Sequence, residues 1–198
     1  MNNERNFLIH PNYIAMFLLL AGITALFLGF SGAYLYSRIQ SGLPPIELPP
    51  IFYWNTLFLI GSSFSLIKAR NFYKADNTEG YKKALVITLF LTIAFLFAQI
   101  YAWMQLQSEE IFINHSNMAS YLYIISILHF VHVVAGIPFL IWFLVVAYKK
   151  MKTPVSVLIY FSDLAKKRKL NLLNWYWHFL DILWIYLVIF FLVNSLFQ

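Results

Sequence analysis

The sequence predicts an all-α integral membrane protein. We expect one transmembrane domain over residues 1–198, a bundle of five helices with the N-terminus inside and the C-terminus outside. Of the 198 residues, 61% are hydrophobic and only 11% are charged, and the mean hydropathy is +0.70. A soluble domain carries about 25% charged residues, so lipid must cover most of this surface. The charges also fall between uncharged stretches long enough for membrane-spanning helices, which need about 20 residues.

The uncharged stretches define the expected spans. We place them at about 13–36, 51–67, 84–104, 121–147 and 175–197. The second is short because Pro49 and Pro50 close its N-terminal side. The longest connection between spans, near 148–174, is too short for a separate soluble domain, so the chain reads as one bundle.

Lysine and arginine side chains collect on one side of this arrangement, which predicts that this side is the inner one. The opposite side carries Arg38 and the acids Glu47, Glu109 and Glu110. The net charge of +6 therefore indicates topology and contact with anionic lipid head groups, and it does not indicate a nucleic-acid partner. The inner side carries Arg5, Lys68, Arg70, Lys74, Lys82, Lys83, Lys149, Lys150, Lys152, Lys166, Lys167, Arg168 and Lys169.

The connection before the last span contains an apolar segment followed by a basic run. Residues 154–164 read PVSVLIYFSDL, and Lys166–Lys169 follow. Apolar residues beside a cationic cluster are typical of a segment that lies in the membrane interface. A loop packed against a partner subunit would show the same pattern, and the residues leave both interpretations open.

Small and polar residues mark the helix faces expected to pack. The first helix has a ladder of small side chains, Ala21, Ala25, Gly29 and Ala33, which would let another helix approach closely. Polar side chains inside a membrane favour contacts between helices. They occur at Asn55 and Thr56 in the second helix and at Gln99 in the third.

The ionisable residues inside the spans are candidates for function because they are costly in lipid. His129 and His132 share one face of the fourth helix, and His178 and Asp181 share one face of the fifth. Asp181 lies in an aromatic stripe with Trp177 and Trp184. The His178–Asp181 pair could fix helix packing, contact a neighbouring subunit or relay protons. A proton path across the whole membrane is not expected within this chain.

A haem with two axial histidines is the alternative that three intramembrane histidines raise. His129 and His132 cannot clamp one iron, because they share a helix face. His178 and His132 are expected to differ in depth by roughly 10 Å. With no cysteine in the chain, thiolate and iron–sulfur sites are also excluded. We therefore expect no catalytic, cofactor or metal site.

Three segments carry a resemblance to a known family. The last span reads Trp175-Tyr176-Trp177-His178-Phe179-Leu180-Asp181-Ile182-Leu183-Trp184, similar to the W-Y-W-H-F-x-D-x-x-W signature of subunit III of haem–copper terminal oxidases. His129, His132 and Gly136 resemble its H-x-x-H-V-x-x-G segment, and Leu48-Pro49 with Asn55-Thr56 resembles its L-P…N-T motif. The five expected helices resemble the short bacterial form.

The resemblance implies a non-catalytic subunit III of a proton-pumping oxygen reductase, with cytochrome c oxidase as the first expectation. Such a chain stabilises subunit I and supports proton uptake, while haem and copper belong to subunits I and II. The partners implied are these subunits, membrane lipids, and a small subunit IV or a respiratory supercomplex. The implied location is the bacterial inner (plasma) membrane, crossed several times.

Two positions depart from the family pattern. Ile23 stands where the family often has a membrane-embedded glutamate, and Ala102-Trp103 stands where Glu-Tyr is common. A mechanism based on those carboxylates is therefore not implied for this chain. The alternatives are a quinol-oxidase subunit III, the accessory protein of nitric oxide reductase, a haem-binding membrane anchor and a small transporter.

Overall fold

A computed structural model describes residues 10–42, 46 and 48–196, and the regular structure of this part of the chain is entirely α-helical. Arg5, Glu47 and the expected end of the last span at residue 197 lie outside the described residues. The described residues form six helices in sequence: α1 (Pro11–Ser41), α2 (Ile51–Lys74), α3 (Thr78–Ser108), α4 (Asn117–Lys150), α5 (Pro154–Ser162) and α6 (Leu164–Leu196).

Four of these helices, α1, α3, α4 and α6, are long and apolar enough to cross a membrane. The expectation of five spanning helices is therefore wrong, and the orientation derived from an odd number of spans falls with it. α2 has 24 residues, but Asn55, Ser62 and Ser65 make it less apolar. α5 is apolar but has only nine residues, and a helix of about 20 is needed to cross the hydrocarbon core.

The helices that match expected spans extend beyond them, because capping and backbone hydrogen bonds decide where a helix ends. Asn77 begins α3 by accepting a hydrogen bond from the Gly80 backbone N–H at 2.8 Å. Ser116 begins α4 by accepting one from Ala119 at 3.1 Å. α6 begins at Leu164, well before the expected residue 175, so positions in its signature lie deeper along the helix than the hydropathy indicated.

α6 is the central helix of the bundle. It contacts α1, α2, α4 and α5. In its most apolar 18-residue stretch 44% of the residues are buried, against 17% in the corresponding stretch of α1. α2 and α3 form an antiparallel pair, in which the Ser65 hydroxyl donates to the Ala84 carbonyl at 2.8 Å. The residues of α6 can therefore join helices that are distant in sequence.

α1 contacts the bundle through a different face from the one its small residues mark. Its buried residues are Ile23, Phe27, Ser31 and Tyr34. In the predicted small-residue ladder, Ala21, Ala25 and Gly29 are exposed and Ala33 is half-buried. The ladder therefore does not pack against the helices described here, and its use by a partner helix stays a prediction.

The described basic residues other than Arg38 lie at one end of the bundle, which we call the basic end. This end consists of the C-terminal ends of α2 and α4, the N-terminal ends of α3 and α6, and the short helix α5. Side-chain contacts join these elements, because Lys82 donates to the Met151 carbonyl at 3.3 Å. Arg38 lies at the other end, where its guanidinium donates to Asn194 Oδ1 at 2.9 Å.

Replacing Asp163 by alanine is expected to lower the free energy of unfolding by about 1 kcal/mol through loss of a helix N-cap. Asp163 precedes α6, and its Oδ1 accepts hydrogen bonds from the backbone N–H groups of Ala165 at 2.9 Å and Lys166 at 3.2 Å. The hydrogen bond from the Lys166 side chain, aided by the backbone N–H groups, lowers the pKa of the carboxyl from its ordinary value of 3.8.

A lowered pKa in the folded protein means that the ionised carboxylate favours folding above pH 3.8. This stabilisation by the carboxylate is lost as the pH falls from 3.8 to below the lower pKa of the folded protein. Unfolding in mixed micelles, followed by circular dichroism against pH, measures the effect. Asp163→Asn is the matched control, since it keeps the capping oxygen and removes the charge. Equal pH dependence in wild type and Asp163→Asn would contradict the assignment.

Candidate functional site

The signature of α6 points mainly into the bundle. Trp177, Asp181 and Trp184 are 2%, 5% and 1% exposed, as expected for positions i, i+4 and i+7 of one helix face. Tyr176 is also buried, whereas Trp175 is 49% exposed and its ring lies 5.4 Å from the ring of Tyr13 on α1. Residues of the signature therefore contact neighbouring helices on more than one side of α6.

Two indole groups attach α2 to α6. The Trp177 Nε1–H donates to the Ser62 hydroxyl oxygen at 3.1 Å, and the Trp184 Nε1–H donates to the Thr56 hydroxyl oxygen at 3.2 Å. A buried indole needs such an acceptor, and in lipid the hydroxyl gains a partner as well. Thr56 is one of the residues predicted from the sequence, whereas Ser62 is not; the signal for Ser62 is a second polar side chain seven residues after Asn55, on the same helix face.

Gly136 lets α4 approach α6 closely. A Cβ atom at this position would lie 2.7 Å from Cζ3 of Trp177 and 3.1 Å from Cε1 of Tyr176. One turn away, the Tyr176 hydroxyl donates to the His132 carbonyl at 2.7 Å. Small residues at helix contacts in membranes allow this kind of close packing. The glycine of the H-x-x-H-V-x-x-G segment therefore makes room for the aromatic signature.

Trp184 fills an aromatic pocket that joins four helices. Its ring stacks on Phe52 of α2 at 5.9 Å between centroids, meets Phe95 of α3 edge-on at 5.2 Å, and lies 4.9 Å from His129 of α4. His129 is fully buried. Beside this pocket, Asn55 donates to Gln99 at 2.9 Å across α2 and α3. Of the predicted residues, Trp184 and His129 therefore meet in one pocket, and Asn55 and Gln99 meet as a buried pair.

Asp181 and His178 form a different arrangement with Ser63, which we call the polar trio. The Ser63 hydroxyl oxygen lies 2.6 Å from His178 Nδ1, and Asp181 Oδ2 lies 3.9 Å from the same nitrogen. The side chain of His178 is 31% exposed and that of Asp181 only 7%. Ser63 was not predicted from the sequence. The trio connects a buried acid to the outer surface of α2 and α6.

The structure corrects the expected depth of the histidines. α4 and α6 are antiparallel, with Gly136 against Trp177 and His129 against Trp184. This register puts His178 level with residue 135, so His132 lies within about 4.5 Å of the level of His178. The expected mismatch of roughly 10 Å is therefore wrong, because α6 begins at Leu164.

The histidines have separate surroundings despite their similar depth. His132 Nδ1 donates to the carbonyl oxygen of Leu128 in its own helix at 2.6 Å, while His129 lies in the Trp184 pocket and His178 in the polar trio. Among residues 10–42, 46 and 48–196, no three His, Cys, Asp or Glu side chains group so that they could hold a metal ion. Of these three histidine rings, that of His178 hydrogen-bonds to another helix, through Ser63 of α2.

The two departures from the family pattern lie in packed positions. Ile23 is 6% exposed on the inner face of α1, and Ala102 is fully buried. Trp103 donates its Nε1–H to the Ser126 hydroxyl oxygen at 3.0 Å. Where the family pattern has carboxylates, at Ile23 and Ala102, this chain has apolar packing, and the neighbouring Trp103 adds a hydrogen bond between α3 and α4.

Comparison with known proteins agrees with these motifs. The sequence model of the family described as Cytochrome c oxidase subunit III matches residues 15–195. The chain is 30% identical over 191 residues to a cytochrome c oxidase subunit 3 from Synechocystis sp., covering 91% of this chain and 75% of that protein.

Two further relatives widen the range of similarity. A cytochrome c oxidase subunit 3 from Alkalihalophilus pseudofirmus is 27% identical over 181 residues, with 88% of this chain and 82% of the relative covered. A cytochrome bo(3) ubiquinol oxidase subunit 3 from Buchnera aphidicola is 29% identical over 132 residues, with 67% and 63% covered. The family match extends over nearly the whole chain and includes all three motifs, so this chain belongs to the cytochrome c oxidase subunit III family.

Proposed function

We propose that this chain binds beside subunit I of a bacterial haem–copper oxidase, stabilises it during turnover and supports proton uptake. The polar trio is the observation that carries the proposal. His178 lies about 21 Å along α6 from its first residue, yet its side chain is 31% exposed. A titratable group at a lipid-facing surface is costly, and a hydrogen-bonding partner subunit would remove that cost.

The surface around His178 is otherwise apolar. On α6, Trp175 and Ile182 are 49% and 67% exposed, and Phe64 of α2 is 63% exposed. Exposed aromatic anchors such as Trp175 are enriched at the hot spots of protein interfaces, and polar side chains in a membrane hydrogen-bond across helices. The proposed docking surface therefore consists of the trio and these apolar neighbours.

We assign haem and copper to subunits I and II and none to this chain. The histidines support this assignment through their contacts, since His129 packs on Trp184 and His132 donates to its own helix. Support of proton uptake would be indirect, through the stability of subunit I. Further proposed partners are subunit II and either a small subunit IV or a supercomplex, in the bacterial plasma membrane.

Cytochrome c is the proposed electron donor of the complex. The names of the relatives from Synechocystis and Alkalihalophilus support it. A quinol donor is the second candidate, because the relative from Buchnera is named a ubiquinol oxidase subunit. The subunit II that purifies with the chain distinguishes them: a copper-containing subunit II supports cytochrome c, and its absence supports quinol.

Co-purification tests the proposal as a whole. A tagged full chain extracted in mild detergent is expected to bring down a subunit that carries haem and copper. The isolated chain is then expected to show no stoichiometric haem absorbance. A chain that retains one haem per protein, or that brings down no haem–copper subunit, would refute the proposed role.

Replacing Asp181 by asparagine is expected to weaken association with subunit I by about tenfold or more while turnover of the assembled enzyme changes less. The physical reason is the electrostatic attraction between the Asp181 carboxylate and the His178 ring, whose nearest atoms lie 3.9 Å apart; a tenfold loss of association corresponds to about 1.4 kcal/mol. Quantitative co-purification gives the association, and oxygen consumption per haem gives the turnover.

Thr24→Val is the matched control for this variant. The Thr24 hydroxyl also lies within a membrane helix, but it donates to the Leu20 carbonyl of its own helix at 2.8 Å. Its removal is expected to leave association unchanged. Circular dichroism of the isolated chain checks that Asp181→Asn folds. Normal assembly with lost proton pumping would contradict the docking role and support a relay.

A further inference from the structure

α5 is a short helix fixed at the basic end of the bundle. Thr153 and Ser156 form a reciprocal capping box at its start, and nine residues are too few to cross the hydrocarbon core. Lys149, Lys150 and Lys152 precede it and the basic run Lys166–Lys169 follows it. Charged groups on both sides keep α5 at the level of the lipid head groups.

One side of α5 is anchored on the bundle by aromatic side chains. Phe161 is 8% exposed, and its ring lies 5.0 Å from the ring of Tyr73 and 6.2 Å from that of Tyr81. The Tyr73 hydroxyl donates to the Tyr160 carbonyl at 3.0 Å. These contacts hold α5 in one orientation, so the side opposite Tyr160 and Phe161 faces away from the bundle.

The opposite side presents an uncovered apolar stripe. Val155, Leu158 and Ile159 follow one another at i, i+3 and i+4 and are 69%, 65% and 63% exposed. Leu164, just beyond the helix, is 76% exposed. An apolar stripe of this kind on a helix too short to span a membrane is typical of a helix lying in the interface plane.

The charges and aromatic rings around the stripe complete an interfacial pattern. Lys169 lies 5.2 Å from the ring centroid of Trp142, and Lys82 lies 5.3 Å from that of Tyr148. Rings and cations at one level are characteristic of the membrane–water boundary. Between Lys149 and Lys169 the only acid is Asp163, and it already pairs with Lys166 at 2.8 Å.

We propose that α5 is a lipid-binding element that lies in the head-group region of an anionic membrane. Val155, Leu158 and Ile159 enter the boundary of the acyl chains, and the exposed Lys152 and Lys167 bind lipid phosphate groups. The surplus of cations favours an anionic bilayer as the occupant, because a negative membrane surface attracts basic segments beside an amphipathic helix.

Site-specific fluorescence in vesicles tests the position of α5, and the absence of cysteine from the chain makes single labels simple. Leu158→Cys carries a bimane label in the full chain, reconstituted with the subunits that purify with it. Brominated lipids are expected to quench this label, and aqueous iodide is expected not to. Val155→Cys gives a second position if Leu158→Cys folds poorly, and Asn114→Cys, on the exposed connection between α3 and α4, is the water-facing control.

The choice of brominated lipid tests the anionic preference. Quenching by brominated phosphatidylglycerol is expected to exceed that by brominated phosphatidylcholine, and Lys152→Gln/Lys167→Gln is expected to reduce this preference about fivefold per cation removed. Lys68→Gln/Lys83→Gln, on α2 and α3, is the control that removes the same formal charge. Quenching by iodide, protection from both quenchers by a partner subunit, or equal quenching by the two lipids would each overturn the proposal.

Discussion

Replacing Trp184 by alanine is expected to lower the free energy of unfolding by about 3–5 kcal/mol, the range for removal of a buried tryptophan or phenylalanine. Trp184 is 1% exposed and contacts Phe52, Phe95 and His129 within ring distances of 4.9–5.9 Å. In a membrane the helices gain little from the hydrophobic effect, so packing contacts of this kind carry much of their association.

Unfolding in mixed micelles of a mild detergent and sodium dodecyl sulfate, followed by far-ultraviolet circular dichroism, measures this loss. Trp175→Ala is the matched control, because the same side chain is removed from a position that is 49% exposed, and its effect is expected to be much smaller. Thr56→Val removes the acceptor of the Trp184 indole N–H and keeps the shape of the side chain, and this hydrogen bond should contribute about 0.6 kcal/mol in a membrane bundle. Similar losses in the free energy of unfolding for Trp184→Ala and Trp175→Ala would show that the pocket around Trp184 does not stabilise the bundle.

Replacing Gly136 by alanine is expected to destabilise the chain by about 1–3 kcal/mol, the usual cost of overpacking. The added Cβ would lie 2.7 Å from the buried ring of Trp177, which is held by its hydrogen bond to Ser62. The ring cannot yield without breaking that bond, and neither helix can move without loosening the Tyr176–His132 contact. Alanine is the better helix former, so the steric cost must exceed that gain.

Gly32→Ala provides the comparison for this prediction. Gly32 lies on an exposed part of α1, and nothing lies within 4 Å of a Cβ atom built there. The change is expected to be neutral or to stabilise by up to about 1 kcal/mol, the difference in helix propensity. The same unfolding assay measures both variants. A stabilised Gly136→Ala would mean that α4 and α6 are not in close contact at this residue.

Helical periodicity was sufficient to predict the buried face of α6. Trp177, Asp181 and Trp184 are at positions i, i+4 and i+7, so they share one face of the helix, and that face points into the bundle. Periodicity could not identify their partners, because Ser62 and Ser63 are adjacent in sequence and bind different residues of α6. Which hydroxyl meets which ring depends on the rotation of α2 about its axis.

Hydropathy correctly predicted that lipid surrounds most of the protein, but it gave the wrong number of spanning helices and the wrong start of the last one. It averages over a window, so it cannot tell that Asn55 and Ser62 face the interior, nor that polar residues before 175 continue α6 back to Leu164. The two open interpretations of 154–164 could not be separated for the same reason. A capping box and aromatic anchors make this segment a helix, and only their geometry shows which side is uncovered.

The sequence by itself determined that this protein is a membrane-embedded helical bundle of the subunit III family, because composition, charge placement and the aromatic signature are properties of the chain alone. Only the tertiary structure decided the number of helices, the similar depth of His132 and His178, and the outward direction of the ladder at Ala21, Ala25 and Gly29. These features depend on where helices end and how they rotate against one another. Capping hydrogen bonds and side-chain packing set both, and neither is readable from hydropathy.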